Sequence, residues 1–573
     1  MVWKPLTDGL LEAMRRCGFD ERGIRVELAV PRESSHGDWT TNLALTLAKP
    51  LKRPPRAIAE ALAAAFPAGE TFAPPEVAGP GFLNFRYLKS YLESLPSRIA
   101  VAGESFGRSE FGEGEKILVE YVSANPTGPL NIVSARAAAV GAALVRLLRA
   151  TGHSADGEFY VNDAGRQVDL LGESMAARFA ERVGAERELP ADGYRGEYVR
   201  ELAARLPESE ARAALAAKNG AEWFRDHALE HMLAWQRRDL DDYGAEFSRW
   251  FRETEVHDSG AVQATLEELT RRGETYRART PEVDRSGAPP DAEERAEASG
   301  EATYLRTSRY GDDKDRVIVK SSGAPTYLLP DIAYHRDKHA RGYRRAIDLW
   351  GPDHHGYVPR MKAAMQALGY GEDFLEVLIV QQVNLLSGGQ PVRMSKRAGE
   401  FITLRDLMDE VGADCAKFFF LLRSTGAHLD FDLDVARQQN DENPAYYVQY
   451  AHARISAVLR FGAERGLTAS TEARIPIEAP EEIALVRTLA TFPEVVRGAA
   501  FAREPHRIPT FLIETAAEFH RFYHACRVVT EDAERSRARL QLCRAARCVL
   551  RNGLALMGVS APERMERETE PAV

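Results

Sequence analysis

Three cations crowd the five residues Arg393-Met394-Ser395-Lys396-Arg397, with Gly388, Gly389 and Gly399 on either side. A cation on a glycine-flanked loop can close on a phosphate chain and stabilise charge that develops as a leaving group departs. Lys396 is the expected phosphate-facing group, with Arg393 and Arg397 in support and Met394 and Ser395 beside them. A solvated basic turn could have the same composition. The placement, after a strand pattern and before an apolar helical pattern from Thr403 to Leu422, favours the phosphate role. A second reactive set is Gly351-Pro352-Asp353-His354-His355-Gly356, which follows an apolar strand pattern. Its paired histidines invite a metal, but no further ligands stand at metal spacing nearby, so no metal site is expected.

Longer blocks surround these residues. Glu120-Tyr121-Val122-Ser123-Ala124-Asn125-Pro126-Thr127-Gly128-Pro129-Leu130 closely resembles the consensus of the arginyl-tRNA synthetases. The resemblance continues, in order, through residues 159–167, 311–317, 326–335, 351–357, 443–454 and 556–565, and so spans nearly the whole chain. Arg393 to Arg397 is similar to the mobile lysine loop of class I aminoacyl-tRNA synthetases. The resemblance implies ATP-dependent activation of L-arginine and its transfer to the terminal adenosine of tRNA(Arg), with Mg2+ arriving on the nucleotide.

A guanidinium is planar and permanently charged, and carboxylates and flat aromatics hold it best. The resemblance places the arginine pocket at Glu120, Ser123, Asn125, Tyr327, Asp331 and Asn384. Asp331 would pair with the guanidinium and Tyr327 would contact it. Glu120, Ser123 and Asn125 would hold the α-amino and carboxylate end. Taken singly, Glu120 reads as a strand-end carboxylate in an ion pair and Tyr327 as a core ring; inside matching blocks the binding roles are preferred. The same resemblance sets Gly351, Asp353, His354 and His355 near the adenosine.

One block departs from the family. Where class I enzymes have a His-x-Gly-His turn, this chain has Asn131-Ile132-Val133-Ser134. That turn opens a helix whose N-terminus faces phosphates. Asn131 and Ser134 can still donate hydrogen bonds, but neither can be cationic. Val133 puts a branched side chain where the adenine would lie close. Two readings follow: an active ligase with a variant turn, or an impaired paralogue that binds arginine or tRNA. The intact lysine loop favours the first. A ligase acting on another amine or acid is disfavoured by the tRNA-binding segments.

The elements that must position these residues are legible in outline. Residues 117–122 form a β-branched run, followed by a Pro/Gly loop and an Ala-rich helix over about Ala135–Ala150, the opening of a doubly wound sheet. Residues from about 168 to 300 are mostly charged helix, and strand patterns return at 316–320, 346–350 and 377–380. The expected fold is multidomain α/β. A small N-terminal α/β domain (1–112) precedes a Rossmann-type catalytic domain with a helical insertion (113–435) and an all-α anticodon-binding bundle (436–573). Val26 to Val30 is expected as a strand of the first domain. In the bundle, Tyr446, Tyr447 and Tyr450 are candidates to stack unpaired bases and Arg454 to meet phosphate, though helical spacing buries at least one of the tyrosines.

Composition sets the outer limits. The chain has 573 residues, too many for one core. Its net charge of −10 argues against a generic nucleic-acid coat. From Asn443 onward, however, 18 arginines and no lysine meet 16 acids, which makes that segment the RNA-facing candidate. No apolar run reaches membrane-spanning length and the N-terminus lacks a secretory pattern. The five cysteines show no Cys-x-x-Cys pair and read as reduced thiols of a cytoplasmic protein. A monomer is the default.

Overall fold

The computed structural model describes residues 3–279, 300–392 and 402–565, apart from Glu21, Arg25 and Arg32. Arg393, Met394, Ser395, Lys396 and Arg397 therefore lie outside the described residues. The chain divides into two compact units: one joins Met1–Phe111 to Gln438–Val573, and the other is Gly112–Arg437.

In the first unit, β1 (Trp39–Thr41), β3 (Phe82–Phe85) and β2 (Glu76–Ala78) form an antiparallel sheet in that order. The expected strand at Val26–Val30 is reduced to one bridge, Ala29 to Thr40. The helices Leu43–Leu51 and Pro55–Ala65 bury Leu43, Leu47, Ile58 and Leu62. Four long helices make the C-terminal bundle: Pro444–Glu464, Pro480–Ala502, Arg507–Ala525 and Ala533–Met557. Their ends are well specified. Asn443 Oδ1 accepts from the amides of Ala445 and Tyr446 ahead of Pro444, and Asp532 caps the last helix in the same way. The helix Lys89–Ala102 lies against that last helix, where Gln541 donates to Pro96 O and Asn552 to Gly103 O.

The second unit is built on a five-stranded parallel sheet. Its order is β11 (Leu375–Ile379), β10 (Arg345–Trp350), β4 (Lys116–Glu120), β5 (Ser154–Val161) and β6 (Arg249–Arg252). The helix Ile132–Ala150 joins β4 to β5, and Gly141 lets it press directly on the Tyr121 ring, where any Cβ would collide. Strand order reverses beside β4, the place where open α/β sheets bind ligands.

Two expectations need correction. The stretch from 168 to 300 is not wholly a helical insertion, because β6 is an edge strand of the main sheet and β7 (Thr275–Arg279) pairs with β8 (Glu301–Leu305). The sequence of β6, Arg-Trp-Phe-Arg, has no apolar alternation to announce it. The helix expected from Thr403 to Leu422 is two, Leu404–Val411 and Ala413–Leu421. Gly412 between them has φ +79°, outside the helical region. β8 also pairs with β9 (Arg316–Val319). A further sheet orders β13 (Gln390–Pro391), β12 (Val383–Ser387) and β14 (Leu429–Asp432).

Candidate functional site

Three carboxylates stand side by side across the centre of the parallel sheet. Asp348 of β10 is in register with Glu120 of β4, and Glu120 with Glu158 of β5. Paired residues point to one face, so the three acids form a buried row. The helix Leu328–Ala340 and the residue after it answer that row. Lys338 Nζ, with none of its surface exposed, lies 2.5 Å from Glu120 Oε2 and 2.8 Å from Asp348 Oδ1. His335 Nε2 is 2.7 Å from Asp348 Oδ2, while its Nδ1 lies 2.7 Å from Asp331 O. Arg341 forks onto Glu158, and Tyr334 OH donates to the same carboxylate at 2.8 Å. Burial alone would raise the Asp348 carboxyl, but Lys338 and His335 outweigh it and hold it down at about 2. Burial works against the Lys338 cation, yet Asp348, Glu120 and Glu158 keep it above the ordinary lysine value.

Beyond the row the backbone is strained. Val122 and Ser123 follow β4 with φ of 71° and 40°, rare for residues with a Cβ. The turn brings Ser123 Oγ back to donate to Glu120 Oε1 at 2.9 Å and to accept from Tyr160 N at 3.1 Å. Both oxygens of Glu120 are thereby oriented. Asn125 is placed by Gln167 and Asn162, at 2.9 and 3.0 Å.

Asp331 sits one turn before His335 on the same helix. Its side chain accepts from Tyr357 OH at 2.9 Å and meets no lysine or arginine among the described residues. Burial and the nearby Glu120 push its carboxyl above the usual range. Glu253 is raised as well, by burial and by Asp331 and Asp163. Tyr160 feels Glu253, Asp331, Glu120 and Asp163 together and, chiefly through burial, is held far from ionisation. Acids outnumber permanent cations around this pocket, so it favours a cationic ligand.

The structure thus brings Glu120, Ser123 and Asp331 together, with Asn125 on the adjoining loop. Tyr327 is 78 % exposed and precedes the helix, so it is not a core ring. Asn384 lies apart from them. It stands on β12, in a different sheet, and its amide is donated to Asp430 at 2.9 Å, with no hydrogen bond to the other pocket residues among those described. Sequence reasoning missed Asp348, Glu158, Glu253, His335 and Lys338. The spacing of Asp331, Tyr334, His335 and Lys338, which puts the four on one face of their helix, was the available signal.

At the start of the helix Ile132–Ala150, Asn131 Oδ1 accepts from Ser134 N at 3.0 Å. Asn131 is therefore an N-cap, and one of the first-turn amides is already used. The Nδ2 of Asn131 and the Oγ of Ser134 have no partner among the described residues. Thr403 pairs with Asn131 through the backbone, and Leu404 N donates to Leu130 O at 2.8 Å. Two residues beyond Ser134, the fully buried Arg136 donates to the carbonyls of Gln381, Gln382, Ser424 and Ala427. Gly351, Asp353, His354 and His355 form a short 3-10 turn and its cap after β10, with Asp353 and both histidines exposed.

In the other unit, Tyr446 is only 6 % exposed and stacks on Tyr450, so it offers no face to a base. Helical spacing turned it inward. Tyr447, Tyr450 and Arg454 remain part-exposed. Arg454 lies over the Tyr450 ring at 4.7 Å and meets His520 Nδ1 at 3.1 Å.

Comparison with known proteins bears on the whole chain. The family model described as the arginyl tRNA synthetase N terminal domain matches residues 4–87. That of the class I (R) tRNA synthetase catalytic domain matches 98–418, and the DALR anticodon binding domain matches 448–565. The arginine–tRNA ligase of Geobacillus kaustophilus is 44 % identical over 546 residues, covering 94 % of each chain. That of Bacillus licheniformis is 42 % identical over 567 residues, covering 98 % of each. Among solved structures, the arginyl-tRNA synthetase of Thermus thermophilus has a TM-score of 0.76 at 21 % identity, over 99 % of this chain and all of its own, a likeness of fold.

Proposed function

The chain belongs to the arginyl-tRNA synthetase family, and from that membership we propose how its residues perform the arginine–tRNA ligase reaction. L-arginine and ATP give arginyl-adenylate and pyrophosphate, and the arginyl group then passes to the 3′-terminal adenosine of tRNA(Arg). Near-full-length similarity to curated ligases supports this activity over the impaired-paralogue alternative.

The observation that carries the site assignment is Asp331, which has no cationic partner among the described residues, beside a row of acids that already has its cations. Lys338 and Arg341 occupy the row, so Asp331 is the carboxylate left for a guanidinium, with the Tyr327 ring exposed close by in the chain. Glu120 and Ser123, oriented by Lys338 and the strained turn, take the α-ammonium, and Asn125 takes the carboxylate end. In activation an oxygen of the arginine carboxylate bonds to the α-phosphorus and the bond to pyrophosphate breaks. No enzyme-bound intermediate is needed, so the chain supplies positioning and charge. Asn131 and Ser134 donate toward the phosphates from the helix N-terminus, and Gly351, Asp353, His354 and His355 face the adenosine. Lys396, with Arg393, Met394 and Ser395, meets the leaving pyrophosphate, and Mg2+ comes with ATP. Residues 436–573, with Tyr447, Tyr450 and Arg454, read the anticodon, and residues 1–112 contact the tRNA elsewhere. We place the protein in the cytoplasm as a monomer. No described helix is long and apolar enough to cross a membrane.

The test is pyrophosphate exchange with arginine in the presence of tRNA, with Lys396→Ala as control. Exchange that is lost in the control is expected. No exchange by the unmodified chain, with arginine still bound, would remove the catalytic assignment.

A further inference from the structure

The last helix, Ala533–Met557, carries Arg544, Arg547 and Arg551 at spacings of three and four, so their stems share one face. With Cys548 they line a notch of about 160 Å3 whose other wall is Ala100 and Gly103, at the end of the helix Lys89–Ala102. That wall is pinned. Cys548 Sγ donates to Gly103 O at 3.1 Å, and Asn552 Nδ2 donates to Gly103 O at 2.8 Å and to Phe106 O at 3.0 Å.

Three other arginines of the bundle have an acid one turn away: Arg497 with Glu494, Arg507 with Glu504, Arg521 with Glu518. The notch arginines do not. No acid lines the notch. Among the described residues the acid nearest Arg551 is the exposed Glu104 at 3.7 Å, Arg547 pairs with the exposed Glu563 at 4.0 Å and touches Ser456 Oγ at 3.5 Å, and Arg544 has no ion pair. Burial, then Arg551 and Arg544, lower Arg547 against the pull of Glu563. Three like charges on one helical face repel each other, and an anion seated among them would reverse that effect. Guanidinium forks suit phosphate oxygens. The volume lies below the several hundred Å3 of sites that enclose drug-sized molecules, so a phosphate fits and a nucleoside does not.

We infer that this notch binds a single phosphate group, supplied by the backbone of the tRNA. The RNA source rests on the ligase reading above; the anion chemistry does not. Arg544→Gln, Arg551→Gln and the double variant change exposed side chains, and thermal melts check that they fold. Binding of tRNA(Arg) is measured by fluorescence anisotropy across a salt series. In the double variant the Kd is expected to rise about tenfold, and the slope of log K against log salt to shrink by about 0.9, the loss of one phosphate contact. Arginine binding and the charging kcat at saturating tRNA should not move. Inorganic phosphate is titrated in parallel. Phosphate binding lost in the variant with tRNA affinity unchanged keeps the site but overturns the RNA source. An unchanged salt slope with no phosphate binding overturns the proposal, as does capture of a polyglutamate peptide in place of phosphate. Failure of the unmodified chain to bind or charge tRNA would instead count against the ligase reading.

Discussion

Replacing Lys338 by methionine should break the centre of the catalytic unit electrostatically while nearly keeping its volume. The ammonium is fully buried, 2.5 Å from Glu120 and 2.8 Å from Asp348. Without it, two carboxylates in register on neighbouring strands are left with His335 and Ser123 as partners. Breaking a buried pair by removing one member costs roughly 3–5 kcal/mol. The depression of Asp348 from 3.8 to about 2 gives a separate scale of roughly 2–3 kcal/mol for one of the two acids. The signs follow from the directions of the shifts. The Asp348 contribution is full above 3.8 and is lost as pH falls toward about 2. The Lys338 contribution is present below the ordinary lysine value and is lost only as pH rises through the higher folded value. The assay is native-state hydrogen exchange of the β4 and β10 amides, which reports opening of this unit without requiring both units to unfold together. Lys338→Met should lower protection by about 3 kcal/mol. Adding Asp348→Asn removes one orphaned charge and should recover at least about 1 kcal/mol as coupling. A loss below about 1 kcal/mol in the single variant, or a double variant no better than the single, would refute the account.

Two further outcomes are expected. Asp331→Asn should raise the KM for arginine about 30-fold or more, from about 2 kcal/mol of lost charge pairing, with a smaller change in kcat. Because burial raises Asp331, kcat/KM for arginine in the unmodified enzyme should fall on acidification from a pH above the usual carboxylate value, and that limb should be missing in the variant; steady-state kinetics against pH decide it. Asn131→Ala should lose about 1 kcal/mol with its cap, whereas Asn131→Asp keeps the cap and places a negative charge toward the phosphates. Thermal melts should separate the first variant from the unmodified chain and the KM for ATP should separate the second. Equal melts and equal ATP KM in both would remove Asn131 from either role.

What the sequence reveals here is what lies close along the chain. The turn after β4, the Asp331 helix and the caps of the long helices are local patterns with local causes. The carboxylate row is different in kind. Asp348, Glu120 and Glu158 each read alone as one acid in or after an apolar strand, and only the pairing register places them abreast. Strand register depends on contacts far apart in sequence, so no window of residues contains it. Lys338 was hidden for the same reason. In a run that also holds Arg336, Asp337, His339 and Arg341 it resembles a solvated helix end. Asn384 is the opposite case, a family position carried over to a residue whose hydrogen bond to Asp430 no local pattern announces.

Arg136 marks the limit of that legibility. In Ala135-Arg136-Ala137 it looks like the exposed side of an alanine-rich helix. It is instead fully buried, and its partners are four backbone carbonyls, with no carboxylate among the described residues. Carbonyls belong to every residue, so no residue type in the sequence points to them. Burial draws the guanidinium down to about 10, still well above neutral pH, so the cation persists and peptide dipoles serve as its counter-charge. A carboxylate in their place would bind one side chain. Four carbonyls bind two stretches of chain, 381–382 just before β12 and 424–427 just before β14. The helix that begins at Asn131 is thereby set against both stretches, two residues beyond Ser134. The position of the variant turn thus depends on a buried cation outside the motif as well as on the motif itself.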